Sequence, residues 1–140
     1  MNEQDFQAKL AHTPQELEAF LSPLSEAGVD VFHASTRRFW EPEFEGSELN
    51  LAGWTQKLTG KPTIAVGSVG LDAEFIGAFA GVGSKRVGLE QLLARFEHGE
   101  FDLVAVGRGL LQDPEWVQKV CEGRTSELKD FDAASRERLY

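Results

Sequence analysis

The sequence has few of the residues that mark several common protein classes. Its 140 residues include one methionine and a single cysteine, Cys121, so an intrachain disulfide is excluded. No apolar run approaches the roughly 20 residues that a membrane-spanning helix needs. The opening residues 1–10 combine neither the basic nor the apolar region of a secretory signal. We therefore expect a cytoplasmic protein that does not bind membranes.

Positive charge is scarce. The chain has 14 Lys and Arg against 23 Asp and Glu, which gives a formal net charge of −9. A charge of this sign repels the phosphate backbone of nucleic acids at long range. We therefore expect no nucleic-acid partner.

Motifs for several kinds of site are missing. The three histidines, at positions 12, 33 and 98, are scattered and form no ligand-spaced pair with each other or with Cys121, so we expect no metal site. The sequence shows no support for a Ser/His/Asp triad. The segment GSVG lacks the G-x-G-x-x-G pattern of a dinucleotide-binding turn, which disfavours a Rossmann site, so any nicotinamide would be a diffusing hydride donor.

Apolar segments of two alternating kinds fill the chain, which predicts one globular domain over residues 1–140, with 1–12 and 124–140 less regular. Short β-branched runs predict strands near 29–35, 63–67 and 101–107. Amphipathic segments, each ended by a glycine, predict helices over 13–28, 49–60, 88–99 and 113–123. Such alternation requires a parallel sheet with crossover helices, an α/β fold.

Two helices have predicted starts and faces. Thr13, Pro14 and Glu16 form a capping-box pattern, and Asp113 with Pro114 predicts the start of the last helix. The spacing of apolar residues predicts one buried face on the first helix and one on the third: Leu17, Phe20, Leu21 and Leu24, then Leu89, Leu92, Leu93 and Phe96.

Glycine-rich segments follow the second and third predicted strands. They read AVGSVG, ending at Gly70, and AVGRGLLQDP, which contains Gly107, Arg108 and Gly109. Glycines let backbone N–H groups approach a ligand, a short helix after Gly109 would add its positive end, and Arg108 would pair with phosphate oxygens. The alternative is that the glycines only make tight turns and that Arg108 pairs with a surface carboxylate.

The same segments carry a family resemblance. Residues 31–71, VFHASTRRFWEPEFEGSELNLAGWTQKLTGKPTIAVGSVGL, and residues 99–123, GEFDLVAVGRGLLQDPEWVQKVCEG, resemble the C-terminal part of the old yellow enzyme family of NADH:flavin oxidoreductases. The likeness extends over about residues 13 to 140. It implies that the chain is the C-terminal portion, about three βα units, of a (β/α)8 TIM barrel, with the three strands as strands 6, 7 and 8.

The resemblance implies a cofactor and the residues that hold it. Gly67, Ser68 and Val69 match the loop whose backbone amides hold the FMN phosphate in this family. Gly107 and Arg108 match the Gly-Arg pair that contacts the same phosphate and the edge of the flavin.

The implied activity is that of an FMN-dependent enoate or enone reductase. NAD(P)H reduces the FMN, and the flavin then reduces the activated C=C bond of an α,β-unsaturated carbonyl substrate. Tyr140 matches a terminal aromatic that lies near the substrate pocket in some family members.

The chain departs from the family in length. A full barrel takes about 250 residues, and the family's substrate-holding His/Asn or His/His pair and its proton-donating Tyr have no counterpart here. We therefore assign no catalytic residue. The alternative is an inactive barrel fragment, or a partner of a separate N-terminal part, and three strands with two unpaired edges favour self-association or a missing N-terminal half.

Four further residues have competing interpretations. His33, near the end of a strand, could face the flavin, although a hydrogen-bonded core histidine is the commoner case. Arg37 and Arg38 could touch a substrate or cofactor, or could form salt bridges with neighbouring glutamates. Cys121 is expected to be buried in the last helix.

Overall fold

The computed structural model describes residues 9–73 and 80–137, and in them helices and strands alternate in the predicted order. The regular elements are α1 Pro14–Glu26, β1 Phe32–Ser35, α2 Leu51–Thr59, β2 Thr63–Val66, α3 Glu90–Glu97, β3 Leu103–Val104, α4 Arg108–Gln112 and α5 Trp116–Cys121. Two 3-10 turns follow, Thr125–Glu127 and Ala133–Glu137. Each strand is shorter than its predicted range. Within the described ranges, every helix is too short or too polar to cross a membrane.

The three strands form one parallel sheet in the order β1-β2-β3. Phe32 pairs with Thr63 across the first strand pair, and Ile64 pairs with Leu103 across the second. Parallel strands joined through helices make the chain an α/β protein, as the alternation predicted. The strand order follows the chain order, so β1 and β3 lie at the two edges of this sheet.

The helices cover one face of the sheet. Phe32, Ala34 and Ala65 point into the two main hydrophobic clusters, together with residues of α1, α2 and α3. The alternate strand positions face the other way, and Leu103 among them is 54% exposed. In the described part of the chain, this second face carries no helical layer; it consists of His33, Ser35, Ile64, Val66, Leu103 and Ala105.

The start of α1 follows the predicted capping pattern with one difference. The Thr13 hydroxyl oxygen accepts from the Glu16 backbone N–H at 3.2 Å, as an N-cap does. The Glu16 carboxylate accepts from the backbone N–H of His12 at 2.8 Å, one residue before the cap. Pro23 lies inside the helix, which ends at Glu26 before Gly28 adopts a φ of +99°.

The two amphipathic helices bury only part of the apolar faces that their spacing predicted. Leu17 and Leu21 of α1 and Leu92 of α3 are buried. Their neighbours in the predicted faces are exposed by 37% to 51%: Phe20, Leu24, Leu93 and Phe96. One layer of helices over three strands is too narrow to cover both sides of each apolar stripe.

Asn50 joins α2 to the loop that follows β1. Its side-chain oxygen accepts from the Gly53 N–H at 2.8 Å, and its amide nitrogen donates to the Phe39 carbonyl oxygen at 2.7 Å. The side chain is only 1% exposed, so water cannot replace these partners.

We expect Asn50→Ala to lower the free energy of unfolding by about 2 kcal/mol, because the cap is lost and a buried carbonyl loses its donor. Urea unfolding followed by circular dichroism measures this. Thr13→Ala, which removes only the exposed cap of α1, should cost about 1 kcal/mol. An equal loss of unfolding free energy in the two variants would mean that the hydrogen bond from Asn50 to the Phe39 carbonyl oxygen adds no stability.

The last helix begins later than predicted. Asp113 was expected to cap it. The regular helix α5 starts at Trp116, and the Asp113 carboxylate accepts both from the Glu115 backbone N–H at 3.3 Å, as a capping residue does, and from the Lys119 ammonium at 3.0 and 2.7 Å. Both side chains of this pair are buried. Cys121 was also expected to be buried, and the structure places it on the surface as a free thiol.

Part of the segment predicted to be less regular, residues 124–140, packs onto the body of the protein. Phe131 is 2% exposed and exchanges two backbone hydrogen bonds with Ser84, at 2.9 and 2.7 Å. Leu128 is also buried, within the main hydrophobic cluster. These contacts bring Phe131 to the end of the sheet where the glycine-rich loops lie.

Candidate functional site

The carboxyl ends of the three parallel strands meet at one edge of the sheet, and their loops bond directly to one another. The Phe39 N–H donates to the Gly67 carbonyl oxygen at 3.2 Å, and the Thr36 N–H donates to that of Val66 at 3.1 Å. The Ser68 hydroxyl oxygen lies 2.9 Å from the Arg37 carbonyl oxygen. The loop after β1 is therefore fastened to the loop after β2.

Gly67 makes this close approach of the two loops possible. Its φ is +149°, and a Cβ on it would lie 2.6 Å from the Thr36 carbonyl oxygen and 3.1 Å from the Phe39 nitrogen. Glycine is thus required for packing against the neighbouring loop. From the sequence, we expected the glycine to let a ligand approach the backbone. In the structure, the space left by its missing side chain is filled by the loop after β1.

Ser68 and Arg108 lie side by side, although 40 residues separate them in the chain. One terminal nitrogen of the Arg108 guanidinium donates to the Ser68 hydroxyl oxygen at 3.0 Å and to the Ala73 carbonyl oxygen at 2.6 Å. The Ser68 hydroxyl also lies 3.0 Å from the same Ala73 oxygen. The hydroxyl has a single proton, which it can donate to the carbonyl oxygen of either Ala73 or Arg37. It therefore already has hydrogen-bond partners within the protein.

The backbone at Ser68 is held in an uncommon conformation. Its φ of +51° lies in the left-handed region, and among the described non-glycine residues it is the one with a positive φ. Such a residue persists only where its surroundings fix it, and these residues concentrate at ligand-binding sites. The contacts with Arg37, Ala73 and Arg108 provide that fixation.

Arg108 opens α4 and is only 9% exposed. The centre of its guanidinium lies 5.6 Å from the centroid of the Phe131 ring, a cation–π distance. A permanent positive charge is therefore held nearly buried beside the loop after β2. The sequence offered no signal for Phe131, because nothing in its position along the chain points to Arg108.

The remaining two predicted phosphate-binding residues differ in environment. Val69 is 5% exposed and packs in the main hydrophobic cluster, so only its backbone can reach a ligand. Gly107 is the residue before α4, and no heavy atom lies within 4 Å of where its Cβ would be. The space beside Gly107 is therefore open.

Both loops line a cavity of about 910 Å³ that runs along β1 toward α1. Its wall includes four basic residues, Lys9, Arg37, Arg38 and Arg108, and two glutamates, Glu41 and Glu43. The wall therefore carries more positive than negative side chains, although the chain as a whole has a net charge of −9. A cleft lined mainly by one sign of charge attracts ligands of the opposite sign. The cavity is suited to an anionic ligand.

His33 also lines this cavity. It occupies an exposed position of β1, on the sheet face opposite the helices, which corrects the expectation of a core histidine. The alternation along the strand could have shown this, because Phe32 and Ala34 on either side of it face the core.

Arg38 forms a salt bridge with a neighbouring glutamate, which was one of the two interpretations of this residue; the other was contact with a substrate or cofactor. Its guanidinium donates to the Glu41 carboxylate at 2.8 Å, with the side chains 39% and 54% exposed. Arg37 takes part in the site through its carbonyl oxygen, which lies near the Ser68 hydroxyl.

Two charged residues of the wall were not singled out from the sequence. Lys9 donates to the backbone carbonyl oxygen of Glu43 at 2.6 Å. Burial raises the pKa of the Glu43 carboxyl, and the nearby Lys9 ammonium lowers it in part. No motif connects these residues, since they come from a loop and from the segment before α1. Tyr140, predicted to lie near the substrate, falls outside the described residues.

Comparison with known proteins finds similarity to part of a longer protein. No protein-family profile matches the chain. A protein named NADH oxidase from Thermoanaerobacter brockii is 35% identical over 126 residues, which cover 84% of this chain and 17% of that protein. The chain is thus similar to a small part of an NADH oxidase.

Proposed function

We propose that this chain is the FMN-phosphate-binding part of an NAD(P)H-dependent flavin oxidoreductase of the old yellow enzyme type. Its substrates would be activated C=C bonds in α,β-unsaturated carbonyl compounds. The similarity to an NADH oxidase supports an oxidoreductase that uses a nicotinamide cofactor. The placement of Ser68 against Arg108, in a cavity with a positive wall, is the observation that carries the proposal.

The residues present fit a phosphate group. Gly107 leaves open space at its Cα, and Arg108 keeps a permanent charge beside it. Because the Ser68 hydroxyl already has protein partners, we assign Ser68 and Val69 to the phosphate through their backbone N–H groups. Gly67 fixes the loop so that these groups keep their direction.

The FMN, when bound, would supply the hydride chemistry of the reaction. The contribution of this chain is to bind and orient the phosphate end of the cofactor. Arg108 would neutralise the phosphate charge, and its rigid contacts with Ser68, Ala73 and Phe131 would fix the position of that charge. We assign no proton donor among the described residues.

We further propose that the sheet is a portion of a (β/α)8 barrel. The strand order β1-β2-β3 follows the chain, and the helices pack on one face, as successive units of a barrel do. In a barrel, the open face with Ile64, Val66 and Leu103 would point to the interior, where apolar side chains form the core.

The uncovered face also favours the second candidate function, a non-catalytic piece that docks with a separate N-terminal part. Exposed Leu103 and the free edges of β1 and β3 would be covered by further strands. The NADH oxidase is much longer than the matched region, so its remaining length could hold such strands. The two candidates differ in whether the chain binds FMN by itself.

FMN titration separates these candidates. The isolated chain should quench FMN fluorescence on binding and should prefer FMN over riboflavin, which has no phosphate. Arg108→Met should weaken FMN binding on the order of 10- to 100-fold, the effect of one charge-assisted pair, and should weaken riboflavin binding much less, because riboflavin loses only the contact at the edge of the flavin.

Arg124→Met is the matched control, since Arg124 is a surface arginine paired with Glu122 and Glu127. It should bind FMN as the unmodified chain does, and circular dichroism should show both variants folded. Equal affinity for FMN and riboflavin in the unmodified chain would contradict the phosphate assignment. Absence of FMN binding would favour the docking piece.

A further inference from the structure

The cavity is lined by arginines that follow the two edge strands of the sheet, β1 and β3. Arg108 follows β3, and Arg38 lies in the loop after β1, which is bonded to the Gly67–Ser68 loop through Phe39 and Arg37. The two guanidinium groups therefore belong to one continuous wall. They differ in how they are held, and this difference suggests separate roles.

Arg108 is nearly buried and tied to Ser68 and Ala73, so it presents a charge of fixed position. Arg38 is 39% exposed and is bonded to Glu41, which is itself 54% exposed. An exposed ion pair of this kind contributes little to stability. An entering anion of higher charge can therefore take Arg38 from Glu41 without disturbing the fold.

The size of the cavity allows a second ligand. Its volume of about 910 Å³ lies near the upper end of small-molecule sites, which span about 300–1,000 Å³. The planar guanidinium of an arginine matches the spacing of phosphate oxygens and can donate two parallel hydrogen bonds to them. Phosphoryl groups are therefore the anions that Arg38 is best suited to recognise.

We propose that Arg38 forms a second anion subsite, which binds a phosphoryl group of the nicotinamide dinucleotide, and that Glu41 occupies Arg38 until this ligand arrives. The identity of the ligand rests on the proposed flavin function. The phosphoryl group can be the diphosphate common to NADH and NADPH or the 2′-phosphate of NADPH alone.

Two simple anions test this subsite, inorganic pyrophosphate and adenosine 2′-monophosphate, each titrated calorimetrically into the FMN-saturated chain. Arg38→Gln should weaken binding of at least one probe about tenfold. Glu41→Gln should strengthen the same binding several-fold, because it frees Arg38 and removes a competing negative charge. A response to pyrophosphate assigns the subsite to the diphosphate, and a response only to the 2′-monophosphate assigns it to NADPH.

The chain contains a closely matched control pair. Arg124 and Glu127 have the same i,i+3 spacing, with 2.7 Å between their charged atoms and side chains 35% and 53% exposed, but they do not line the cavity. Glu127→Gln changes the net charge as Glu41→Gln does, and it should leave the affinity for both probes within twofold of the original value.

Unchanged binding in Arg38→Gln, or equal strengthening by Glu41→Gln and Glu127→Gln, would overturn the subsite. Failure of the flavin proposal has a different signature. In that case the chain binds no FMN, and the probes, titrated into the free chain, still respond to Arg38 and Glu41. Arg38 would then stand as an anion site without a flavin beside it.

Discussion

Replacing Gly67 with alanine is expected to lower the free energy of unfolding by about 2–5 kcal/mol. A Cβ at this position would lie 2.6 Å from the Thr36 carbonyl oxygen, and the backbone φ of +149° already disfavours any L side chain. The Thr36 hydroxyl oxygen, 2.7 Å away, could rotate, but the Thr36 carbonyl oxygen and the Phe39 nitrogen are backbone atoms, which cannot move aside as a side chain can. Chemical denaturation monitored by tryptophan fluorescence gives the size of the loss.

Gly107→Ala is the matched control for this substitution. Gly107 ends the other glycine-rich loop, has a φ of −98°, and leaves open space where its Cβ would be. We expect a change in unfolding free energy below about 1 kcal/mol. Similar losses in the two alanine variants would mean that Gly67 does not fasten the loops together.

The second large effect is expected at Lys119. Lys119→Met would leave the Asp113 carboxylate, which is 1% exposed, without the ammonium that donates to both of its oxygens. Removing one partner of a buried pair is strongly destabilising, because the other charge stays buried and unpaired. We expect the melting temperature to fall on the order of 10 °C, measured by differential scanning calorimetry.

A double variant tests whether the unpaired charge is the cause. Asp113→Leu combined with Lys119→Met removes both charges and should recover most of the melting temperature, since apolar replacement of a buried pair is often neutral. The hydrogen bond to Asp113 raises the pKa of the Lys119 ammonium, which burial partly opposes. The stability that comes from the raised pKa of Lys119 is therefore fully present below the ordinary lysine pKa of 10.5 and is lost as pH rises through the raised value. A double variant as unstable as Lys119→Met would contradict this account.

The order of elements could be predicted because it depends on local patterns. Thr13 and Gly28 bound the first helix in both the sequence and the structure, since caps and positive-φ glycines act within a few residues. Asp113 shows the limit of this reasoning. Its spacing predicts an N-cap, and its carboxylate does accept from the Glu115 N–H, but nothing in that spacing indicates the buried pair with a lysine six residues later.

The proximity of Ser68 and Arg108 could be predicted from the sequence, but their hydrogen bonding could not. Ser68 and Arg108 could be placed near each other because the ends of parallel strands share one edge of a sheet. That the two side chains bond to each other, and that Gly67 packs on Thr36, depends on distances across loops. Such distances are set by tertiary packing. The periodicities and spacings in a single sequence report local structure and do not reveal them.

Exposure was the least predictable property. The spacing of apolar residues in a helix such as α1 shows which residues share a face. It does not show how much of that face other elements cover. Leu17 and Phe20 belong to the same predicted stripe, yet the first is 1% exposed and the second 46%. The number of neighbouring elements decides this, and it is a property of the whole assembly.

The contact of Arg108 with Phe131 has a consequence for biosynthesis. A ribosome releases the chain from its N-terminal end, so the strands and the loop at Gly67 emerge well before Phe131 does. The aromatic ring that flanks the guanidinium is thus synthesised after the three strands and after Arg108 itself. The contact of Phe131 with Arg108 can therefore form only after Phe131 has left the ribosome, when all three strands of the sheet are already available to pair.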